Sequence, residues 1–150
     1  ETMISRRWQV TTDPGKYWLI HPMNPKGTAV LVPDQYRGTW QIGKHQGKYT
    51  ALVQRKPVKV WRDNTKDEVI DYTNIVTLVD EGYFGINIHR SNPYDMSYEI
   101  NKWSAGCQVF KKVDDFKNFM ELCASSSEIY GNSFTYTLID EKDLRNHLDQ

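Results

Sequence analysis

The sequence predicts a mainly β domain of the α+β class that contains one substantial helix. Short apolar runs bounded by Pro, Gly and polar residues recur along the chain, which is typical of strands joined by turns. Aromatic residues, which favour strands, make up 13% of the sequence. Helical spacing of apolar residues is found near residues 114–129 and, more weakly, from Glu141 onwards. With 150 residues and no linker, the chain is expected to form a single domain, 1–150.

The predicted strands share a short apolar run between turn residues. In chain order they cover residues 18–20, 28–32, 38–42, 51–54, 58–62, 69–72, 84–89 and 133–139. The basic stretch 43–48 is predicted to be a hairpin connection. The polar stretch 63–68 is predicted to join the strands on either side of it in a second hairpin.

The segment 84–89 alternates between apolar and polar residues. Successive side chains of a strand point to opposite faces, so this alternation predicts one buried face and one polar face. We therefore expect Phe84, Ile86 and Ile88 in the core. Asn87 and His89 are expected on the opposite face, pointing away from the core.

The helix predicted over residues 114–129 has one apolar face, formed by Phe116, Phe119, Met120 and Cys123. Asp114 or Asp115 can cap its start, and Gly131 can end it. We expect the apolar face to pack against a sheet. Cys123 is then most simply a core residue.

Charge and hydropathy exclude several classes of partner. Lys and Arg number 19, as do Asp and Glu, so no net charge favours nucleic acid or an anionic membrane surface. No apolar run approaches the roughly 18 residues that span a bilayer. Nothing in the sequence indicates an oligomeric state.

Neither a metal nor a cofactor is predicted. The two cysteines lack the spacing of metal ligands, and the histidines are scattered at positions 21, 45, 89 and 147. The stretch from Asp63 to Asp71 places oxygen side chains at the offsets of a calcium loop. Glu68 stands where such loops need Gly, however, and the closing Glu is missing. A solvated hairpin turn is the better interpretation.

The residues that could take part in a chemical reaction lie in the segment 84–110. His89 ends an apolar run, and Cys107 follows 18 residues later in the sequence Ser104-Ala105-Gly106-Cys107. A nearby imidazole makes a thiol a good nucleophile, and Gly106 lets backbone N–H groups approach a developing oxyanion. The pair therefore indicates a cysteine acyl-transfer site. The alternative is that Cys107 is a buried small hydrophobic residue.

This arrangement resembles the catalytic domain of YkuD-like L,D-transpeptidases, in which a His precedes a Ser/Thr-His-Gly-Cys motif at this spacing. It is also similar to phage and bacterial proteins that carry Asn-Ile-His-Arg and Ser-Ala-Gly-Cys-Gln-Val. The strict match covers about 27 residues of the chain. The resemblance implies a β-sandwich-like L,D-transpeptidase fold and cysteine catalysis.

The resemblance also implies a role for each matching residue. Cys107 would attack a peptide carbonyl and form a thioester, while His89 would take the thiol proton and pass it to the leaving amine. The backbone carbonyl of Arg90 would orient the imidazole. The N–H groups of Gly106 and Cys107 would form the oxyanion hole, and Ser104 would fix the turn.

The implied substrate is the stem peptide of bacterial peptidoglycan, so the protein would act at the bacterial cell envelope, exported or delivered by a phage. Asn87, Arg90 and Trp103 are the candidate substrate-binding residues, with Arg90 as a cation for a substrate carboxylate. Ala105 stands where the family usually has His. The acceptor, water or an amine, is left open.

A second interpretation is a non-catalytic wall-binding or structural module that keeps the fold. In that case Trp40, Trp61 and Trp103 would form a platform for a saccharide or a peptide. The Ala105 departure favours this interpretation, whereas the presence of both His89 and Cys107 at the family spacing favours the enzyme.

Overall fold

The computed structural model describes residues 3–75, 79–94 and 101–148, and these residues form two β-sheets with helices. The strands are β1 (Val10–Thr11), β2 (Thr28–Leu31), β3 (Gln35–His45), β4 (Tyr49–Gln54), β5 (Val58–Asp63), β6 (Val79–Gly82), β7 (Ile88–Arg90), β8 (Gln108–Phe110) and β9 (Phe134–Thr137). The helices are α1 (Lys16–Ile20), α2 (Tyr72–Ile75), α3 (Val113–Tyr130) and α4 (Glu141–Leu148), with a single 3₁₀ turn at Asn101–Trp103. The prediction of a mainly β, α+β fold with one substantial helix is confirmed.

The larger sheet has six strands in the order β1-β8-β7-β4-β3-β9, and the smaller has three in the order β2-β5-β6. Strands β7 and β8 are parallel, and the other described pairs are antiparallel. Because β7 and β8 are parallel neighbours, the chain after β7 must return to the same edge before it enters β8. The beginning of β8 therefore lies beside the beginning of β7.

The core lies between the larger sheet and α3, with a contribution from the smaller sheet. Trp40 and Val60 are fully buried, and Leu52 and Ile88 are buried at the centre of the larger sheet. On α3, Phe116 and Cys123 are buried, and Phe119 and Met120 pack against them as partly buried residues. The predicted apolar face of the helix is therefore confirmed.

The two ends of α3 differ from each other in how they are capped. Gly131 ends the helix with a φ of 88°, a left-handed conformation that favours glycine. The start is Val113, with Lys112 at the capping position and no side-chain cap there. Asp114 and Asp115 lie inside the first turn, where their negative charge is favourable to the helix dipole but cannot cap it. The predicted Asp cap is wrong.

The predicted strand over residues 18–20 is the short helix α1. The carbonyl of Gly15 accepts the N–H groups of Trp18 and Leu19 at 3.0 and 3.3 Å, which closes a helical turn. The Trp18 indole also donates to the carbonyl of Lys102 at 3.0 Å. These contacts override the strand preference of aromatic and apolar residues.

The predicted strand over residues 69–72 is absent from this described stretch, and β5 instead pairs with β6. The carboxylate of Asp63 accepts the N–H and hydroxyl of Thr65, and Asp67 accepts the N–H of Val69. Such bonds to nearby backbone favour turns over a sheet ladder. The turn after β3 is also shorter than predicted, because β3 continues to His45 and β4 begins at Tyr49.

The predicted strand over residues 84–89 begins only at Ile88. Upstream of it, the side-chain oxygen of Gln54 accepts the N–H groups of Phe84 and Ile86 at 3.2 and 3.0 Å. Gly85, between them, has a φ of 66°, which interrupts an extended strand. A buried side-chain amide thus takes the place of a neighbouring strand. Ile86 and Ile88 are nonetheless buried, as expected.

The Gln54 side chain makes two further bonds, donating to the carbonyls of Lys56 and Gly82 at 2.8 Å each. We predict that Gln54→Ala lowers the free energy of unfolding by about 3 kcal/mol, because it leaves buried backbone groups without partners. Denaturant unfolding measures this change. The exposed Gln35 makes one long side-chain bond to Thr137, so Gln35→Ala is the control, with an expected change within about 0.5 kcal/mol. Equal losses in both variants would contradict the prediction.

Candidate active site

His89 lies on β7 and Cys107 directly precedes β8, the parallel neighbour of β7, and both residues line the same cavity. The register pairs Ile88 with Gln108 and His89 with Val109. Cys107, one residue before β8, therefore lies beside Asn87, and His89 is two residues further along β7. Both side chains border a cavity of about 640 Å³.

The cavity is lined by residues of both sheets. The smaller sheet contributes Thr28, Ala29 and Arg62, and the larger contributes His45 and His89. The remaining lining residues include Trp18, Phe84, Asn87, Lys102, Trp103 and Cys107. Among the described lining residues there are two permanent cations, Arg62 and Lys102, and no Asp or Glu. Arg62 is paired with the carboxylate of Asp80 at 3.3 Å, so Lys102 is the lining cation that favours an anionic ligand.

The turn before Cys107 is held by Ser104, which is buried. Its hydroxyl donates to the carbonyl of Cys107 at 2.8 Å and accepts the N–H of Gly106 at 3.2 Å. Gly106 has a φ of 124°, and a Cβ there would lie 2.6 Å from the carbonyl oxygen of Ala29. Only glycine fits at this point. Because Ser104 takes the Gly106 N–H, this group is not free to act as the expected oxyanion donor.

The Cys107 thiol forms hydrogen bonds with the segment before β7, whose backbone is bound by the Gln54 side chain. The sulfur donates to the carbonyl of Gly85 at 3.3 Å and accepts the N–H of Asn87 at 3.4 Å. Burial raises the pKa of the Cys107 thiol to about 11, and the Asn87 N–H opposes this rise. The resting group is therefore a neutral thiol at physiological pH.

The orientation of His89 is determined by backbone and hydroxyl partners. Its Nδ1 lies 2.7 Å from the carbonyl oxygen of Arg90. A carbonyl only accepts, so Nδ1 carries the proton and Nε2 carries the lone pair. The Tyr49 hydroxyl, 3.2 Å from the same Nδ1, donates to the same carbonyl at 3.1 Å. Nε2 is buried and has no hydrogen-bond partner among the described residues.

His89 occupies the face opposite Ile88, as predicted, but it does not point into solvent. Only 2% of the residue is exposed, because other rings cover it. Burial lowers the pKa of His89 to about 4; His45 and Arg90 add to the decrease, and the Arg90 carbonyl opposes it. The imidazole is thus a neutral base at physiological pH.

One further residue of the site, His45, could not be identified from the sequence. Its ring stacks on that of His89 with centroids 4.0 Å apart and planes 19° apart. Its Nδ1 lies 3.0 Å from the side-chain nitrogen of Asn87. His45 was predicted only as part of a hairpin connection. The two histidines are 44 positions apart in the chain, and the contact arises from the pairing of β3 with β4 and of β4 with β7.

The three predicted substrate-binding residues have different surroundings. Trp103 lines the cavity and is 48% exposed. Asn87 lines it too, but its amide is held between the Gln54 N–H and His45. Arg90 is not brought to the cavity, because its guanidinium stacks on the Tyr49 ring, 4.0 Å from the centroid, on the side that faces α3.

The aromatic platform of the binding-module interpretation is not formed as predicted. Trp40 is completely buried, and its indole donates to the carbonyl of Ile86 at 2.7 Å. Trp61 packs edge-to-face with Tyr72 and does not line the cavity. Of the three tryptophans, Trp103 alone borders the cavity.

A second large cavity, of about 700 Å³, lies beside α1. Its described lining includes Asp13, Lys16 and Glu68 but neither Cys nor His. The thiol of Cys107 and the imidazoles of His45 and His89 thus belong to the cavity of about 640 Å³. Within the described ranges, no group of three or more His, Cys, Asp or Glu is placed to hold a metal ion. No helix among the described residues is long and apolar enough to cross a membrane.

The fold and this cavity define a mainly β protein in which one cysteine and two stacked histidines share a cleft. Comparison of the chain with protein-family models, with curated proteins and with solved structures found no match in any of the three. The resemblance to the YkuD-like family therefore depends on the residues of the segment 84–110 alone.

We predict that stability depends on pH through His89. In the unfolded chain its pKa is about 6.5, whereas in the native protein it is about 4. Below about pH 6.5 the unfolded chain binds the additional proton, so the free energy of unfolding decreases as the pH falls towards 4. The contribution is about 3 kcal/mol between about pH 8 and pH 4.

Urea unfolding across this pH range tests the prediction. His89→Gln should show a shallower decrease in the free energy of unfolding at low pH than the wild type. His21→Gln is the matched control, because His21 is exposed, and it should keep the wild-type profile. Parallel profiles for wild type and His89→Gln would show that His89 titrates normally.

We also predict slow alkylation of Cys107 at neutral pH. In a Cys123→Ala background Cys107 is the sole thiol, and its pKa of about 11 leaves little thiolate. The rate of iodoacetamide labelling, followed by mass spectrometry, should increase about tenfold per pH unit between about pH 7 and pH 10. A rate that is constant between about pH 6 and pH 8 would instead reveal a preformed thiolate.

Proposed function

We propose that the protein is a cysteine acyl-transferase or endopeptidase that acts on the stem peptides of bacterial peptidoglycan through a thioester on Cys107. The observation that carries the proposal is the state of His89. Its Nδ1–H is bound to the Arg90 carbonyl, and its buried Nε2 is left with a free lone pair in the wall of the cavity that Cys107 lines. A base held in this way is suited to take the thiol proton.

The acylation step follows from the neutral state of both groups. Nε2 of His89 removes the proton from Cys107 as the sulfur attacks the substrate carbonyl carbon, which forms the C–S bond and a tetrahedral oxyanion. The oxyanion then collapses, the C–N bond breaks, and the amine leaves with the proton from Nε2. Because the pKa of the thiol is raised and that of His89 is lowered, the proton moves during the attack rather than before it.

The thioester is then resolved by a second nucleophile. Water, deprotonated by Nε2 of His89, yields a free carboxyl group and makes the protein an endopeptidase. An amine in the same position yields a new peptide bond and makes it a transpeptidase. In both cases the Cys107 sulfur leaves and takes the proton from His89, which restores the starting state.

The chemistry of the cavity supports a peptide substrate that carries a carboxylate. Lys102 lines it as a cation, whereas the charge of Arg62 is paired with Asp80, and Trp103 offers an exposed aromatic surface. Stem peptides contain free carboxylates beside their peptide bonds. The choice of peptidoglycan itself comes from the resemblance to L,D-transpeptidases, and it places the action at the bacterial cell envelope.

One observation favours the non-catalytic alternative, a wall-binding or structural module. The pKa of the Cys107 thiol is raised to about 11, and the sulfur is bound by Gly85 and Asn87 rather than by an imidazole. An inert thiol would have these properties. The two functions differ in one outcome, which is whether a Cys107-dependent product forms.

We predict that the wild type converts purified muropeptides into shorter or cross-linked products, and that Cys107→Ala and His89→Ala each lose about 10³-fold or more of this activity. The two losses should not add in the double variant, because nucleophile and base act as a unit. Ser104→Ala should lose less, since Ser104 acts on the turn. Chromatography with mass spectrometry measures the products.

Cys123→Ala is the control for the loss of a thiol, because Cys123 is buried on α3 away from the cavity. It should keep the activity. A mass increase on Cys107 during turnover would identify the thioester. If the wild type gives no Cys107-dependent product but is retained by insoluble peptidoglycan, the binding module is the correct interpretation.

A further inference from the structure

We propose that His45 is a further catalytic residue, whose Nε2–H donates to the oxyanion that forms when Cys107 attacks the substrate carbonyl. The inference rests on the proposed acyl-transfer function and adds a role that the sequence motif does not contain. It follows from the hydrogen bonds that determine where His45 carries its proton.

The proton on His45 is located by a chain of two hydrogen bonds. The backbone N–H of Gln54 can only donate, and it lies 3.0 Å from the side-chain oxygen of Asn87. This bond fixes the orientation of the Asn87 amide, so that its NH₂ group points to His45 Nδ1 at 3.0 Å. An NH₂ group only donates, so Nδ1 accepts. The proton of the neutral His45 ring is therefore on Nε2.

The two stacked imidazoles consequently have opposite tautomers. In His89, the Arg90 carbonyl requires a proton on Nδ1, which leaves Nε2 as a base. In His45, Asn87 requires a lone pair on Nδ1, which leaves Nε2 as a donor. Nε2 of His45 has no hydrogen-bond partner among the described residues, and the ring lines the cavity with Cys107. One ring can thus remove a proton while the other stabilises negative charge.

The site needs a donor in addition to the N–H of Cys107. A tetrahedral oxyanion requires hydrogen-bond donors placed where its charge develops. The N–H of Gly106 is bound by the Ser104 hydroxyl, and the N–H of Asn87 is bound by the Cys107 sulfur. Two of the backbone donors nearest the nucleophile are thus already occupied. A neutral imidazole N–H is a donor that can replace them.

His45 also has the protonation state that this role needs. Burial lowers its pKa, and the positive charges of Lys48 and Arg90 add to the decrease. The ring is therefore neutral at physiological pH, and the stacked pair carries no charge that would repel the other ring. Ala105 lines the cavity at the place in the motif where the family has a His, so His45 would supply a second imidazole from another strand.

Two substitutions distinguish a hydrogen-bond donor from a ring that only packs against His89. His45→Gln keeps an N–H donor in the place of Nε2 and loses the stacked ring. His45→Phe keeps a ring that stacks on His89 and loses the N–H. We predict that His45→Phe reduces kcat on muropeptides about 10²-fold or more with little change in KM. His45→Gln should be at least about tenfold more active than His45→Phe, because it keeps the N–H donor.

The opposite order, with His45→Phe more active than His45→Gln, would show that the ring only positions His89 and would overturn the inference. Wild-type activity in both variants would also overturn it, while the Cys107 mechanism would stand. If the wild type itself yields no Cys107-dependent product, the proposed function fails and the role of His45 fails with it. Circular dichroism and thermal unfolding confirm that each variant is folded.

A second measurement applies to the unmodified protein. Long-range ¹H–¹⁵N NMR spectra distinguish the tautomers of a neutral histidine. We expect His45 protonated on Nε2 and His89 protonated on Nδ1 at about pH 7. Asn87→Ala should remove the preference of His45 and leave that of His89. A proton on Nδ1 of His45 in the wild type would overturn the inference whether or not activity is found.

Discussion

The side-chain amide of Gln54 is the constraint on which the geometry of the cavity depends. It replaces a strand partner for the segment that precedes β7, accepting from Phe84 and Ile86 and donating to the carbonyl of Gly82. The segment therefore stays out of the sheet. As a result, the carbonyl of Gly85 and the N–H of Asn87 turn towards the Cys107 sulfur. The backbone N–H of the same Gln54 orients the Asn87 side chain, and through it His45.

The thiol and the two imidazoles in the cavity carry no charge in the resting protein. The Cys107 thiol is neutral because burial raises its pKa, and both imidazoles are neutral because burial lowers theirs. A thiolate–imidazolium pair, common where a cysteine is strongly activated, is therefore disfavoured at rest. Under the proposed mechanism, charge would develop only when a bound substrate excludes water, which strengthens the hydrogen bonds around it.

Much of the fold could be predicted because it follows from local patterns. The apolar face of α3, its glycine end, and most strands of both sheets depend on residues close together in the sequence. The predictions over 18–20 and 69–72 were wrong because long-range bonds to Lys102 and short-range carboxylate turns outweighed strand preference. The spacing of apolar residues within a segment does not reveal these hydrogen bonds.

The residues of the candidate site also differ in whether they could be predicted from local sequence. His89, Cys107 and the turn at Ser104 could be identified from a compact motif. His45 could not, because its place beside His89 depends on the register of three strands. The positions of Arg90 and Trp40 could not be predicted from the sequence either, since a cation or an indole can pack inside the protein or bind a ligand.

Under the proposed function, the close approach of Gly106 to the carbonyl of Ala29 would limit the size of the acyl group. The turn before Cys107 packs directly on the smaller sheet, so moving the two apart to enlarge the cleft would displace the sulfur. Space for a bulkier substrate must come from movable side chains of the lining, such as Trp103, which is partly exposed, and Phe84, which is only partly buried. The range of accepted substrates would then change by substitution of these aromatic residues, while the distance between the two sheets stays constant.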